Sequence, residues 1–334
     1  MPVTLRDVAE RAGVSTSAVS RTFTPGASVS AKTRAKVENA ASELGYAPSA
    51  LASALSTGRT KLIGLVSNNF HNPVFLEVFD RFTRGLQERG LRPLLVNLSD
   101  ETDPANSVRM LRQYSADGVI VASSTLPPSF AKAFADAGLP VVHAFGRAMV
   151  RPDVHVVGID NIECGRIAAR TLIARGYQRV AFLGGPASAT STQDRAAGFA
   201  TEMAGHPGIT VSESHAAAYS FEAGRAEMQR LLAAGPPAEA YFCGDDVLSI
   251  GALSALREAG LAVPEDVGLI GFNDMEMAGW QNIGLTTIRQ PIPEIINAAI
   301  DLVVATIDVP GDRPEARHFD CTLIERATLR PKRD

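Results

Sequence analysis

Residues 15–21, Ser-Thr-Ser-Ala-Val-Ser-Arg, bring four hydroxyls and one guanidinium within two helical turns. Hydroxyls are short donors and acceptors that suit phosphate oxygens and base edges, and an arginine can fork onto guanine O6 and N7. The same residues serve equally well to solvate an ordinary surface helix. A second group of polar residues follows predicted strands: Asn68 with Asn69, Asp160 with Asn161, Asp245 with Asp246, and Asn273 with Asp274. Such pairs cap the helices that follow strands. Converging on one cleft, they also bind neighbouring hydroxyls in bidentate fashion.

The elements that position the first group lie within sixty residues. Thr4 caps a helix over 5–12, with Asp7 in its first turn and Gly13 just past its end. Ser15 caps a second helix that offers Ala18, Val19 and Phe23 for burial. A third runs from Ser30 to Gly45, with Val37, Ala40, Ala41 and Leu44 on its inner face. Helix, short turn containing Gly, helix is the helix-turn-helix arrangement, whose second helix enters the major groove. Thr16, Ser17, Ser20 and Arg21 are then its outward side chains. Charge supports that reading. The chain carries a net charge of −4, yet residues 1–60 hold seven Arg/Lys against four Asp/Glu, which leaves 25 against 32 in the remainder. A basic head at +3 precedes an acidic body at −7, and phosphate attraction is confined to the head.

From Lys61 onward, apolar runs alternate with amphipathic stretches: KLIGLVS, RPLLVN, DGVIVAS, LPVVHA, RVAFLGG, AEAYFCG and DVGLIGF. Strands separated by helices of this length imply parallel sheets with right-handed crossovers, and the series is too long for one sheet of ordinary size. Two lobes fit better, the first at about 61–160 plus 290–320. Ligands of open parallel sheets bind at the carboxyl ends of the strands.

Other classes find little support. No P-loop, nucleophile elbow, HExxH or GxGxxG pattern is present, and the six His are scattered. An enzyme would rest on fold analogy alone, and neither cofactor nor metal is expected. Cys164, Cys243 and Cys321 lack the close pairing of zinc or redox motifs, so reduced thiols are expected. No signal pattern opens the sequence and no apolar run reaches bilayer length. The cytoplasm is the expected compartment, and a solute-binding protein working alone would have neither this opening nor the basic head.

The stretch TLRDVAERAGVSTSAVSRTF, followed by VSAKTRAKVENAASELGYAPSALASALSTGRTKLIGLV, resembles the amino terminus of the lac repressor/galactose repressor family of bacterial transcription regulators. The resemblance implies an α/β protein of three parts. These are a three-helix head over 1–46, a hinge helix and linker over 47–60, and a two-lobed body over 61–334 like the periplasmic sugar-binding proteins. It implies base readout by Thr16, Ser17 and Arg21, and phosphate contacts from Thr4, Ser15 and Ser20. Ser49, Ala52 and Leu55 fall in the hinge, where Leu55 matches a residue that wedges into a minor-groove base step and Ala52 the small residue of the helix crossing. Effector contacts carry over to Val74, Phe75, Asp160, Arg195, Tyr219, Asp245, Asn273 and Gln290. Tyr219 also suits the core, and Trp280 suits either a ligand stack or an interface. The chain departs from its relatives at Thr24, Ser49 and Ser53. It departs again at Asp245 and Asn273, where acid and amide are exchanged. The implied function is a ligand-responsive regulator, a repressor by expectation. Its implied partners are a pseudo-palindromic double-stranded operator, a carbohydrate-like small-molecule effector and a second copy of the chain, with no membrane. RATLRPKRD closes the sequence without heptads, so no tetramerisation coil is expected.

Overall fold

The computed structural model describes residues 3–24, 26–49, 54–55, 57–68, 70–98, 103–147, 149–309, 311 and 313–332. The chain divides between Lys61 and Leu62 into two compact units.

In the first unit, α1 (Leu5–Ala12) opens on a capping box. The Thr4 hydroxyl accepts from the Asp7 N–H, and the Asp7 carboxylate accepts from the Thr4 N–H at 2.8 Å. Gly13 ends this helix at φ 64°, a left-handed conformation that strains any residue with a Cβ. Ser15 caps α2 (Thr16–Phe23), and Ser30 caps α3 (Ala31–Leu44). Val8, Ala9, Val19, Val37, Ala40 and Ala41 form the core between them, with Phe23, Leu44 and Tyr46 packed against it. Of the three residues expected inward on α2, only Val19 is fully buried; Thr22 joins it. A threonine is tolerated there because its hydroxyl donates to the Ala18 carbonyl at 2.9 Å. The Arg34 guanidinium donates to the Thr22 carbonyl at 2.8 Å and ties α3 to the end of α2.

The second unit holds two six-stranded sheets. One contains β1 (Leu62–Ser67), β2 (Arg92–Asn97), β3 (Gly118–Ala122), β4 (Val141–Ala144), β5 (His155–Ile159) and β11 (Ala316–Phe319), in the order β11-β5-β4-β3-β1-β2 and parallel throughout. The other contains β6 (Arg179–Gly184), β7 (Thr210–His215), β8 (Ala240–Cys243), β9 (Gly268–Asn273), β10 (Thr286–Arg289) and β12 (Thr322–Ile324), in the order β12-β10-β9-β8-β6-β7. Only β12 runs antiparallel to its neighbour. Helices α4 (Val74–Glu88), α5 (Ala105–Gln113), α6 (Pro128–Asp136) and α11 (Ile292–Asp308) go with the first sheet. Those that go with the second are α7 (Asn161–Ile173), α8 (Thr190–Ala204), α9 (Phe221–Ala234) and α10 (Asp246–Glu258).

The chain therefore passes between lobes three times: after Ile159, after Arg289 and after Phe319. The central strands β3 and β9 are buried along their whole length, as expected of strands covered on both faces. Five strands did not stand out as apolar runs. Edge strand β7 is TVSESH and largely exposed, and β11 and β12 are short edges. In β5, Gly158 leaves room for a backbone turn at Phe145 and Gly146, whose carbonyl would stand 3.1 Å from a Cβ there. Among the described residues no helix is long and apolar enough to cross a membrane.

Candidate functional site

On the head, Thr16, Ser17, Ser20 and Arg21 are all exposed. The Ser15 hydroxyl accepts from the Ala18 N–H at 3.2 Å and lies 2.9 Å from that of Ser17. Thr4 and Ser15 thus hold the two helix starts in place while remaining at the surface. Each acid of the head is engaged inside the head. Asp7 sits in the capping box, Glu10 meets Arg6, Glu38 meets Arg34, and Glu43 meets Arg11 at 2.6 Å. Arg21, Lys32 and Lys36 are exposed and, among the described residues, make no ion pair within the head. Their charge is available to an external anion.

The hinge is described at Ser49, which is exposed, and at Ala54, Leu55 and Thr57, which have helical backbone. Leu55 is 90% exposed. Ala52 and Ser53 lie outside the described residues.

In the body, the carboxyl ends of the strands surround an enclosed cavity of about 20 Å³. Its wall on the first lobe is Asn72, Val74, Phe75, Val78, Ser124 and Phe145; on the second it is Arg195, Tyr219, Asp245 and Asn273, with Gln290 at a crossing. Asp245 is the hub. One oxygen accepts the Val247 N–H and so caps α10, while the other accepts the Asn72 and Asn273 amides, each at 2.8 Å. Gln290 in turn donates to the Asn273 side-chain oxygen at 2.6 Å. Arg195 lies over the Phe272 ring, its Cζ 3.6 Å from the centre, and donates to Asn161 and to the Gly244 carbonyl. Tyr219 meets the Thr192 hydroxyl at 2.6 Å.

Burial sets the electrostatics of this region. It pushes the Asp245 carboxyl up to about 6, against the opposing effects of the Val247 N–H, the Asn72 amide and the nearby Arg195. Burial also raises Asp246 well above the ordinary carboxyl range. Asp246 accepts from the Met275 N–H at 2.8 Å and from the Thr287 hydroxyl at 2.6 Å, which fixes the loop after β9. That loop is unusual: Asn273 and Asp274 both have positive φ, 114° and 57°. Asn and Asp tolerate the left-handed region; Phe145, at φ 63°, does so at greater cost and still projects into the cavity wall. Among the described residues no cluster of His, Cys, Asp or Glu could hold a metal.

Residues 4–49 match the family of bacterial regulatory proteins of the lacI type, and residues 169–329 match a periplasmic binding protein-like domain. The chain is 34% identical over 332 residues to the HTH-type transcriptional repressor PurR of Escherichia coli O139:H28, covering 98% of this chain and 96% of that one. The chain belongs to the lacI family. The PurR repressor of Erwinia tasmaniensis is 32% identical over the same shares. Among solved structures, the lac repressor dimer bound to operator and the anti-inducer ONPF superposes with a TM-score of 0.89 at 26% identity, covering 99% of this chain and all of that one. The complex of the regulator CelR with cellobiose gives 0.72 at 28% identity, over 98% and 99%. As a lacI-family protein the chain is a regulator with a DNA-binding head and an effector-binding body, and its relatives are repressors rather than enzymes.

Of the effector contacts expected in this lacI-family chain, Val74, Phe75, Arg195, Tyr219, Asp245, Asn273 and Gln290 come together around the cavity. Asp160 does not. Its carboxylate caps α7 through the Ile162 and Glu163 N–H groups, and it is exposed; the following residue, Asn161, turns inward to Arg195. Asn68 bonds Ser123 and Thr125 within its own lobe, and Asn69 lies outside the described residues. Asn72, Val78, Ser124 and Phe145 were not anticipated. Ser124 and Phe145 come directly after the apolar runs of β3 and β4, so the strand-end rule would have found them had it not been limited to Asn and Asp.

Proposed function

We propose that this chain is a ligand-responsive transcription repressor. It works as a homodimer on a pseudo-palindromic operator in the bacterial cytoplasm, and a small neutral carbohydrate-like effector binds between its lobes. The observation that carries the DNA reading is the charge arrangement of the head. All four acids are occupied internally, while Arg21, Lys32 and Lys36, like the Thr16, Ser17 and Ser20 side chains of α2, are exposed. Arg21 forks onto a guanine while Thr16 and Ser17 read neighbouring edges, and Thr4, Ser15 and Ser20 face phosphates. Ser49, Ala52 and Leu55 form the hinge contact, with the apolar Leu55 side chain free to enter a base step.

Pocket chemistry supports the effector class. Arg195 and Asp245 are the charged groups on the cavity wall, of opposite sign, and the remaining polar groups are amides and hydroxyls. Phe75 and Phe145, their ring centres 6.4 Å apart, offer apolar faces to the C–H side of a sugar ring. A cavity of about 20 Å³ admits such a molecule only when the lobes part. Binding therefore couples to lobe separation and, through the first lobe, to the hinge. Exposed Leu76 and Leu95 on the first lobe, and Phe221 and Trp280 on the second, supply apolar surface for the second copy.

A thermal-melting screen of the full chain against saccharides and nucleobases tests the effector class, since only ligands of the native state raise the melting temperature. The expected result is a shift with a saccharide that Arg195→Ala abolishes. A shift with nucleobases and none with saccharides would replace the proposed class.

A further inference from the structure

The turn after β4 reaches across the cleft at a point outside the cavity. Arg147 Nε lies 3.0 Å from the Asp194 carboxylate, and its Nη2 meets the same group, so a residue of the first lobe grips the second turn of α8 in the second through two nitrogens. Neither residue lines the cavity. The geometry has been prepared on both sides. Gly146 packs so tightly on the His143 ring that a Cβ would stand 2.7 Å from it, and the Phe145 N–H donates to Val157 at 2.7 Å. The His143 ring, kept neutral by burial, meets the Ser123 carbonyl at 3.0 Å. Asp194 is 6% exposed. Arginine suits this position because its planar fork matches a carboxylate in two-point contact and loses less freedom per bond than a lysine would.

Beside this ion pair the two lobes also meet through backbone. The Ser191 N–H donates to the Ser124 carbonyl at 3.2 Å, and the Thr190 hydroxyl donates to the same oxygen at 3.1 Å. Ser191 is 1% exposed, so its amide proton is shielded only while the lobes are together.

We infer that Arg147 and Asp194 form a clasp between the lobes, outside the effector cavity, which favours the closed arrangement without touching whatever the cavity holds. The inner contact, Asn72 to Asp245, uses an atom that an effector would compete for. The clasp uses none. Closure therefore has a component that the effector does not displace, and this component fixes the resting balance between the two lobe arrangements on which any effector then acts. The inference rests on the proposed inter-lobe sensing, but its test needs neither operator nor effector.

The test is hydrogen exchange of the Ser191 amide in the full chain alone, compared across wild type, Arg147→Asp, Asp194→Arg and the double exchange. The clasp predicts at least tenfold faster exchange at Ser191 in each single variant, with amides of β6 unchanged, and recovery to within about twofold of wild type in the double variant. Unchanged exchange in both singles would overturn it. So would a rise that spreads through β6 and is not reversed by the double exchange, because the two residues would then support the fold of a lobe and not the contact between lobes. Failure of operator or saccharide binding in wild type would count against the proposed function and leave this measurement intact.

Discussion

Asn72 and Asp245 stand on opposite lobes, and the amide of the first donates to the carboxylate of the second at 2.8 Å. The same oxygen accepts the Asn273 amide at the same distance. Acid and amide thus form a matched pair in this chain: a donor faces an acceptor, and the negative charge sits at the α10 cap. The cap gains, since an anion at a helix start is favoured by the helix dipole.

Asn273→Asp alone places two buried carboxylates within hydrogen-bond distance, which is costly unless one takes up a proton. Its melting temperature should fall clearly at pH 7.5 and recover in part at pH 5. The double variant Asp245→Asn/Asn273→Asp restores a donor opposite an acceptor and should melt closer to wild type than Asn273→Asp does. Additive losses would show that the pair is not coupled.

The pH dependence of stability has a definite sign. Asp245 ionises near 3.8 when exposed and near 6 in the fold. The folded state therefore holds the proton more tightly, and stability falls as pH rises through this interval and then levels off. The gap corresponds to at most about 3 kcal/mol. Melting of Asp245→Asn should lack that part of the slope between pH 4 and 6.5. An identical slope in wild type and variant would remove Asp245 as its source.

Arg195 is 3% exposed and satisfies two buried acceptors, the Asn161 side chain and the Gly244 carbonyl. Replacing it with alanine leaves both unpartnered, at about 1–3 kcal/mol each. The variant should lose the effector response and also melt lower, while Arg195→Lys should regain part of the stability. Unchanged melting of Arg195→Ala would contradict the two-acceptor arrangement.

Much of this was legible from residue types. Thr4, Ser15 and Ser30 mark helix starts by local chemistry alone, and Gly13 and Gly45 mark ends at positive φ. The strand-end rule located Asp245 and Asn273 because parallel sheets deliver the carboxyl ends of their strands to one cleft. What was hidden depends on packing across long separations. Asn72 belongs to the site only because Asp245, 173 residues later, folds opposite it. Arg147 and Asp194 face each other only when both lobes are built. At Asp160 and Asn161 neighbouring positions point opposite ways, one to solvent and one to Arg195, and residue type does not distinguish which turns inward.

Leu55 gives up no core contact on substitution, being 90% exposed. Leu55→Ser should melt like wild type yet bind the operator more weakly and bend it less, as read by gel mobility of circularly permuted duplexes. Equal bending would exclude a wedge.

The most direct test of the account is selection of the full chain on randomised duplexes, followed by affinity for the enriched sequence at low and moderate salt. The account predicts an inverted repeat whose affinity falls with added salt. It also predicts that Arg21→Ala relaxes one base position per half-site, at about 1–3 kcal/mol. Retention of every random duplex alike, with no enriched sequence and no loss of binding on adding salt, would contradict it.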